Sequence, residues 1–305
     1  MIHLRVIVAG DQADLVVDRL RETPGVAHLI RLPGGAVLPD GDVVMCDVAR
    51  EAANSVVEWL QHHDVHRSGS ISIDTIEAVV SDAAAHAELN APGEGGDALI
   101  WEQLEARVRE DSAPTVSFLL LMVIASVIAV VGILLDSPIL IVGAMVVGPE
   151  YGPLAAACVG VARRRGRPAS EALGLLFAGL AGAALAACVA TLAIRATGVG
   201  PGGYGLTSRE LTAFIAHPDA LAAVVAILAG VVGMLALTQA RSGALVGVLV
   251  SVTTIPAAAN IGAAAAFGEW TELLGATTQL VVNLAGLLTA GVVTLLIQNR
   301  STAQT

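Results

Sequence analysis

The sequence has no lysine and little charge of any kind. All 16 basic residues are arginine, and charged residues make up 14% of the 305. The arginine bias reads as genome composition and carries no functional weight. The shortage of charge is uneven: residues 112–305 hold 7 of the 27 acids and 8 of the 16 arginines. That excludes an ordinary soluble globule for the stretch. The other 20 acids lie in residues 1–111, so the net charge of -11 arises there. Such a balance repels phosphate backbones and excludes nucleic acid as a partner. Cysteine is scarce too. Cys46, Cys158 and Cys188 are far apart in apolar runs, which excludes a disulfide framework and leaves them as small buried hydrophobes. After residue 111 the sole histidine is His217. With no close Ser/His pair or paired aspartates, the membrane half does not read as an enzyme. A signal peptide is missing as well: the first apolar run, Ile2 to Ala9, is too short and no small-residue cleavage pattern follows it. The first true span must then act as the insertion signal, which leaves the preceding domain in the cytoplasm.

What is present is apolar: 55% of residues are hydrophobic and the mean hydropathy is +0.75. Residues 1–90 form the exception. Short β-like runs at Ile2 to Ala9, Val26 to Leu32, Asp42 to Val48 and Ser70 to Val80 alternate with two helical patterns. One runs from Asp11 through Glu22 and the other from Arg50 to His62. Pro33-Gly34-Gly35 and Pro39-Asp40-Gly41 read as turns. The order βαββαβ predicts an α+β, ferredoxin-like domain, cytoplasmic and suited to regulation or oligomerisation. His62, His63 and His66 read as a solvated helix end rather than a metal site. Gly10 stands alone after the first strand, so no nucleotide loop and no cofactor is expected.

Residues 91–116 form a linker. Asn90 to Asp97 is a turn-rich stretch, and Ala98 to Asp111 is a short amphipathic helix with Leu99, Trp101, Leu104 and Val108 on its apolar side. That helix either lies on the membrane surface with Trp101 as an interface anchor or packs on the soluble domain. Residues 117–300 then hold six candidate spans at about 117–135, 138–161, 172–194, 220–238, 244–266 and 277–297. A short tail, 301–305, follows. Arg163, Arg164, Arg165 and Arg167 cluster between spans two and three. The positive-inside rule places that cluster, Arg241, Arg300 and both termini in the cytoplasm. The outer side then receives Asp136, Glu269, Glu272 and the loop carrying Arg209. The expected location is a multi-pass inner membrane protein.

Span two departs from an ordinary apolar helix. Gly148, Pro149, Gly152 and Pro153 interrupt it, and Glu150 lies inside the interruption. Helix breakers and a carboxylate at membrane depth are tolerated where protein or a cavity surrounds them. Span five carries Thr253, Thr254, Pro256 and Asn260 near its centre, and span six carries Gln279 and Asn283 one turn apart. Three spans followed by three spans, each trio with an interrupted middle helix, is the pattern of two inverted repeats. Glu150 is the leading candidate to take a proton or cation. Gly148, Pro149, Gly152 and Pro153 shape the break, and Thr253, Thr254, Pro256, Asn260, Gln279 and Asn283 supply contacts from the opposing half. Small-residue steps, Gly148 to Gly152 and Gly243 to Gly247, allow close helix contact. Ser137-Pro138 reads as a helix start, and Asp136 beside it as a charge at an outer mouth.

The stretch from Asp136 to Pro153, DSPILIVGAMVVGPEYGP, resembles a signature of an uncharacterised hydrophobic-domain family of bacterial and archaeal membrane proteins. Ser137, Pro138, Gly143, Ala144, Met145, Pro149, Gly152 and Pro153 carry the resemblance, joined by the run from Ala244 to Pro256 and by Asn283. It covers about residues 115–297 and implies the architecture but no chemistry. Gly148 and the pair Glu150-Tyr151 depart from the usual pattern. The sequence therefore predicts a secondary transporter or channel-like protein for a small ion or solute. The alternative is a non-transporting sensor or scaffold whose soluble domain binds a ligand or partner. The bilayer is an expected partner, as is a second copy of the chain in a homo-oligomer, with a dimer preferred.

Overall fold

The computed structural model describes residues 1–76, 78–91, 99–198, 211–216, 219–239, 247–248 and 253–303. The chain divides into two compact units, Met1–Leu104 with Gln298–Thr305, and Glu105–Ile297. The turn-rich linker at 92–98, His217, Arg209, Arg241, Gly243 and most of the first half of the predicted fifth span lie outside the described residues.

The first unit opens with β1 (Ile2–Val8), α1 (Ala13–Glu22), β2 (Val26–Val37), β3 (Asp40–Val48) and α2 (Arg50–His62). The short α3 (Val65–Ser68), β4 (Ser70–Thr75) and α4 (Asp82–Asn90) follow. The strands form one sheet in the order β2-β3-β1-β4, antiparallel at every junction. Strand alternation sends Ile2, Leu4, Val6, Val8, Val44, Cys46 and Val48 to one face. There Val16 and Leu20 of α1 and Ala53, Val56, Val57 and Leu60 of α2 complete the core. The opposite face carries His3, Arg5, Val43, Met45 and Asp47.

Several expected boundaries move. Pro33-Gly34-Gly35 is not a turn: β2 runs through it to Val37. The reason is position, since β2 is the sheet edge and an edge strand tolerates a missing N–H donor. β4 stops at Thr75 rather than reaching Val80, and the unforeseen α4 follows, capped by Ser81, whose hydroxyl accepts from the Ala84 N–H. Gln12, the neighbour of Asp11, occupies the cap position of α1, without a side-chain bond.

The amphipathic linker helix is α5 (Trp101–Asp111). Trp101 is buried, and its backbone N–H donates to Asn54 Oδ1 at 3.4 Å while the Asn54 amide donates to the Leu99 carbonyl. The start of α5 is therefore tied to α2 within the first unit. Of the two expectations for Trp101, packing on the soluble domain is the one realised, and an exposed interface anchor is not.

The second unit is helical. It comprises α6 (Val116–Leu134), α7 (Pro138–Val147), α8 (Tyr151–Ala162), α9 (Gly166–Thr197), α10 (Ala220–Thr238), α11 (Thr254–Phe267) and α12 (Trp270–Ala303), whose residues from Gln298 on belong to the first unit. Four of these, α6, α9, α10 and α12, are long and apolar enough to cross a membrane, and α7 with α8 makes a bent pair that counts as a fifth. The predicted 244–266 span is not one helix among the described residues, since α11 begins only at Thr254 and has 14 residues. α11 packs against α6, α7 and α9. Glycine permits the closest of these approaches: a Cβ on Gly262 would run into the Ala184 carbonyl of α9, and one on Gly160 of α8 would meet Ala169 at the start of α9. Gly230 of α10 sits likewise against Leu287 of α12.

Candidate functional site

Two prolines shape the break in different ways. Pro149 disfavours helical geometry in the residue before it, and Gly148 accordingly adopts φ -67°, ψ 130° and ends α7. Pro153 lies in the first turn of α8, where its missing N–H leaves no helix bond unmade. The axes of α7 and α8 differ by 55°. Glu150 occupies the N-cap position of α8. Pro256 does for α11 what Pro153 does for α8. Each lies three residues after its helix's N-cap, Thr253 in one case and Glu150 in the other. Pro256 thus lies in the first turn of a helix, and the residues immediately before Thr253 lie outside the described residues.

The two helix starts meet. Glu150 is 3% exposed and Thr254 fully buried. The Thr254 hydroxyl donates to Glu150 Oε1 at 2.8 Å. Glu150 Oε2 is buried and has no hydrogen-bond partner among the described residues. Gly148 lies against this carboxylate, and its Cα faces both Oε2 and the Ile255 side chain so closely that no Cβ fits.

The neighbouring residue opens a second network. Asn283 Nδ2 donates to Thr253 Oγ1 at 2.6 Å, and Gln279 Nε2 lies 3.4 Å from both Thr253 Oγ1 and Asn283 Oδ1. Gln279 Oε1 is a further buried acceptor without a partner among the described residues. Asn260 is fully buried on α11, two turns after Thr253. Glu150, Thr253, Thr254, Gln279 and Asn283, chosen from sequence for membrane-depth polarity, thus lie together with the helix-breaking Gly148. Gly152 acts elsewhere. It seats α8 against the backbone carbonyl of Asp111, so it positions the break without touching the polar groups.

Two readings change. Asp136 does not present a free charge at a mouth. Its carboxylate accepts from the Leu211 and Thr212 N–H groups at 3.1 and 2.9 Å and from the Thr212 hydroxyl at 2.8 Å, clamping a loop. Ser137 occupies the α7 N-cap with Pro138 next, as expected, but its side chain makes no capping bond. Tyr151 was not foreseen as part of the site. Its buried hydroxyl lies against Gly233 of α10 and has no hydrogen-bond partner among the described residues. The signal was a phenol placed directly after Glu150 in an otherwise apolar stretch.

No group of histidine, cysteine and acidic side chains among the described residues has the arrangement of a metal site. In the first unit His63 is turned inward instead, with Nδ1 2.8 Å from the Trp59 carbonyl and its ring stacked on Trp59.

Residues 145–289 match a family model described as Domain of unknown function (DUF389). The segment is similar to DUF389 domains. The match covers a little under half of the chain, and no curated protein and no solved structure matches it. Every residue of both polar networks falls inside the DUF389 segment, whereas α6 and the start of α7 precede it. The match agrees with the resemblance carried by the Ser137–Pro153 signature.

Proposed function

We propose that the DUF389-like segment of this chain is a secondary transporter or channel-like permeation unit for a small ion or solute, with Glu150 as the group that takes up a proton or cation. The observation that carries this reading is the buried Glu150 carboxylate at a helix break, with one oxygen bonded to Thr254 and the other unpartnered among the described residues. A buried carboxylate in that state is costly unless a proton, cation or water compensates it. The helix break frees backbone groups around it, and Thr253, Gln279 and Asn283 add neutral oxygen and nitrogen ligands beside it. The equivalent starts of α8 and α11, each with proline three residues after the N-cap, support two inverted three-helix repeats meeting at that site. In this reading the arginines of the 163–167 turn and both termini face the cytoplasm. The first unit, by its strand order, is a ferredoxin-like accessory domain.

Purified full-length protein in liposomes tests the reading, with pH-sensitive and cation-sensitive dyes inside. Wild type carries flux, and Glu150→Gln reduces it to the background of empty vesicles while leaving thermal stability near wild type. Equal flux from both proteins removes Glu150 from the coupling role.

One observation favours the sensor or scaffold alternative. The sheet face opposite α1 and α2 exposes Ile30 (48%) and Leu32 (46%) beside Val43 and Met45, an apolar patch suited to a second copy of the chain. A sensor shows no flux in the liposome assay. A dimer that Ile30→Glu converts to monomer in light scattering supports the patch as its interface.

A further inference from the structure

A cavity lies away from Glu150. It has a volume of about 890 Å³ and is enclosed by the C-terminal part of α5, the 112–114 segment leading into α6, the end of α8 and the start of α9. The range for small-molecule sites is roughly 300–1,000 Å³, so the space is large enough for a drug-sized body or part of a lipid. Its walls are of two kinds. Ala156, Val159, Leu175 and Ala178, from the apolar helices α8 and α9, make the apolar wall. Glu105, Arg109, Arg165 and Glu171 make the rim. The cavity thus sits where apolar helices give way to charged segments, the level at which a bilayer changes from acyl chain to headgroup.

The ion pairs around the rim leave one of its arginines over. Glu105 is already held by two arginines, Arg163 at 3.2 Å and Arg165 at 2.6 Å. Glu171 is paired with Arg167 at 3.1 Å. Arg109, one turn along α5 from Glu105, is exposed and has no ion pair or hydrogen bond among the described residues. Arg163 and Arg167, from outside the lining, already engage Glu105 and Glu171, so Arg109 is left over the apolar wall as a cation without an ion pair among the described residues.

We infer that this cavity binds a glycerophospholipid, with the phosphate between Arg109 and Arg165 and an acyl chain along the α8–α9 wall. The charge complements phosphate, guanidinium being the side chain best shaped for it. The apolar wall argues for a lipid over a free anion, because phosphate alone leaves Ala156, Val159, Leu175 and Ala178 uncovered. Basic pockets between membrane helices at the headgroup level are a recurrent way of holding lipid head groups. A lipid seated there would bridge α5 to the α8–α9 turn, and so touch the helix whose last residue, Asp111, seats Gly152 at the break.

Native mass spectrometry of the full-length protein, stripped of lipid in detergent and titrated with phosphatidylglycerol, tests this. Wild type retains one tightly held lipid. Arg109→Gln with Arg165→Gln weakens it about tenfold, the loss expected when charge-assisted contacts are removed. Gly174→Leu blocks the cavity without touching the arginines. Gly174 lines it, and a Cβ there meets nothing within 4 Å, so this variant folds. It too should lose the lipid. Arg167→Gln, outside the cavity lining, should retain it. Unchanged binding in the double variant or in Gly174→Leu overturns the inference. So does displacement of the lipid by inorganic phosphate at equal concentration, which makes the site one for a free anion. Equal retention of diacylglycerol also overturns it, because the rim then reads no phosphate.

Discussion

The Thr254 hydroxyl donates a hydrogen bond to the Glu150 carboxylate across 2.8 Å, and the two residues stand at the starts of two different helices. This bond joins the α7–α8 break to the start of α11. Replacing Thr254 by valine keeps the shape and removes the donor, leaving neither carboxylate oxygen with a side-chain donor among the described residues. Full-length Thr254→Val should lose about 1–3 kcal/mol, the cost of an unsatisfied buried group, whereas Thr254→Ser stays near wild type. Thermal unfolding in detergent measures the difference. Equal midpoints for all three proteins would show that the bond contributes nothing to stability.

Gly148 and Gly143 should respond in opposite ways to the same substitution. A methyl group on Gly148 collides with the Glu150 carboxylate and Ile255, while one on Gly143 meets nothing within 4 Å. Gly148→Ala is therefore expected to destabilise by about 1–3 kcal/mol through overpacking. Gly143→Ala is expected to be neutral or to gain up to about 1 kcal/mol from helix propensity. Gly152→Ala should behave like Gly148→Ala, because it runs into the Asp111 backbone. Melting curves of the three variants decide the matter.

Asn283 and Thr253 should show energetic coupling. Their bond is 2.6 Å long and shares Gln279 as a neighbour. In a double-mutant cycle with Asn283→Leu and Thr253→Val, the interaction energy should reach about 0.5–3 kcal/mol. The control pair Asn283→Leu with Thr289→Val, whose hydroxyl bonds only to its own helix, should be additive.

The soluble unit should lose stability in acid through two carboxylates. Asp42 accepts from the Gly34 N–H and from Arg31, and these bonds hold it below the usual carboxylate range. Burial pushes Asp47 up, but the bonds from His3 and His28, at 2.8 and 2.6 Å, outweigh it and leave Asp47 lowered as well. A carboxylate lowered on folding adds stability above its unfolded pKa, about 3.9, and that contribution is lost as pH falls through the folded value. Unfolding of the full chain followed by sheet circular dichroism should show midpoints that are flat above about pH 5 and fall below about pH 4. Asp42→Asn and Asp47→Asn should each flatten that fall.

The parts of this structure legible in the sequence are those where local chemistry and tertiary context agree. Arg50–His62 reads as a helix because Ala53, Val56, Val57 and Leu60 recur on one side, and those residues are its buried face. The break in span two reads from Pro149, because proline restricts the residue before it wherever it occurs. Boundaries that depend on neighbours were not legible. Pro33-Gly34-Gly35 looks like a turn until the sheet order makes β2 an edge. The register of α9 with respect to its apolar run was likewise hidden, since Arg167 and Glu171 begin a helix whose apolar part starts later. At the site, the types of residue were readable from their polarity at membrane depth. The pairing was not: nothing in the spacing says that Thr254 serves Glu150 while Thr253 serves Asn283.

That division between adjacent threonines ties two chemistries to one short piece of backbone. Thr253 and Thr254 are the cap and first residue of α11, joined by a single planar peptide that moves both Cα atoms together. A displacement of the helix start that draws Thr254 away from Glu150 therefore strains the Thr253–Asn283 bond. A reorganisation of Gln279 and Asn283 that displaces Thr253 in turn strains the Thr254–Glu150 bond. The first turn of α11 is in effect a balance beam. What loads one end is weighed at the other, and the two networks respond as one site.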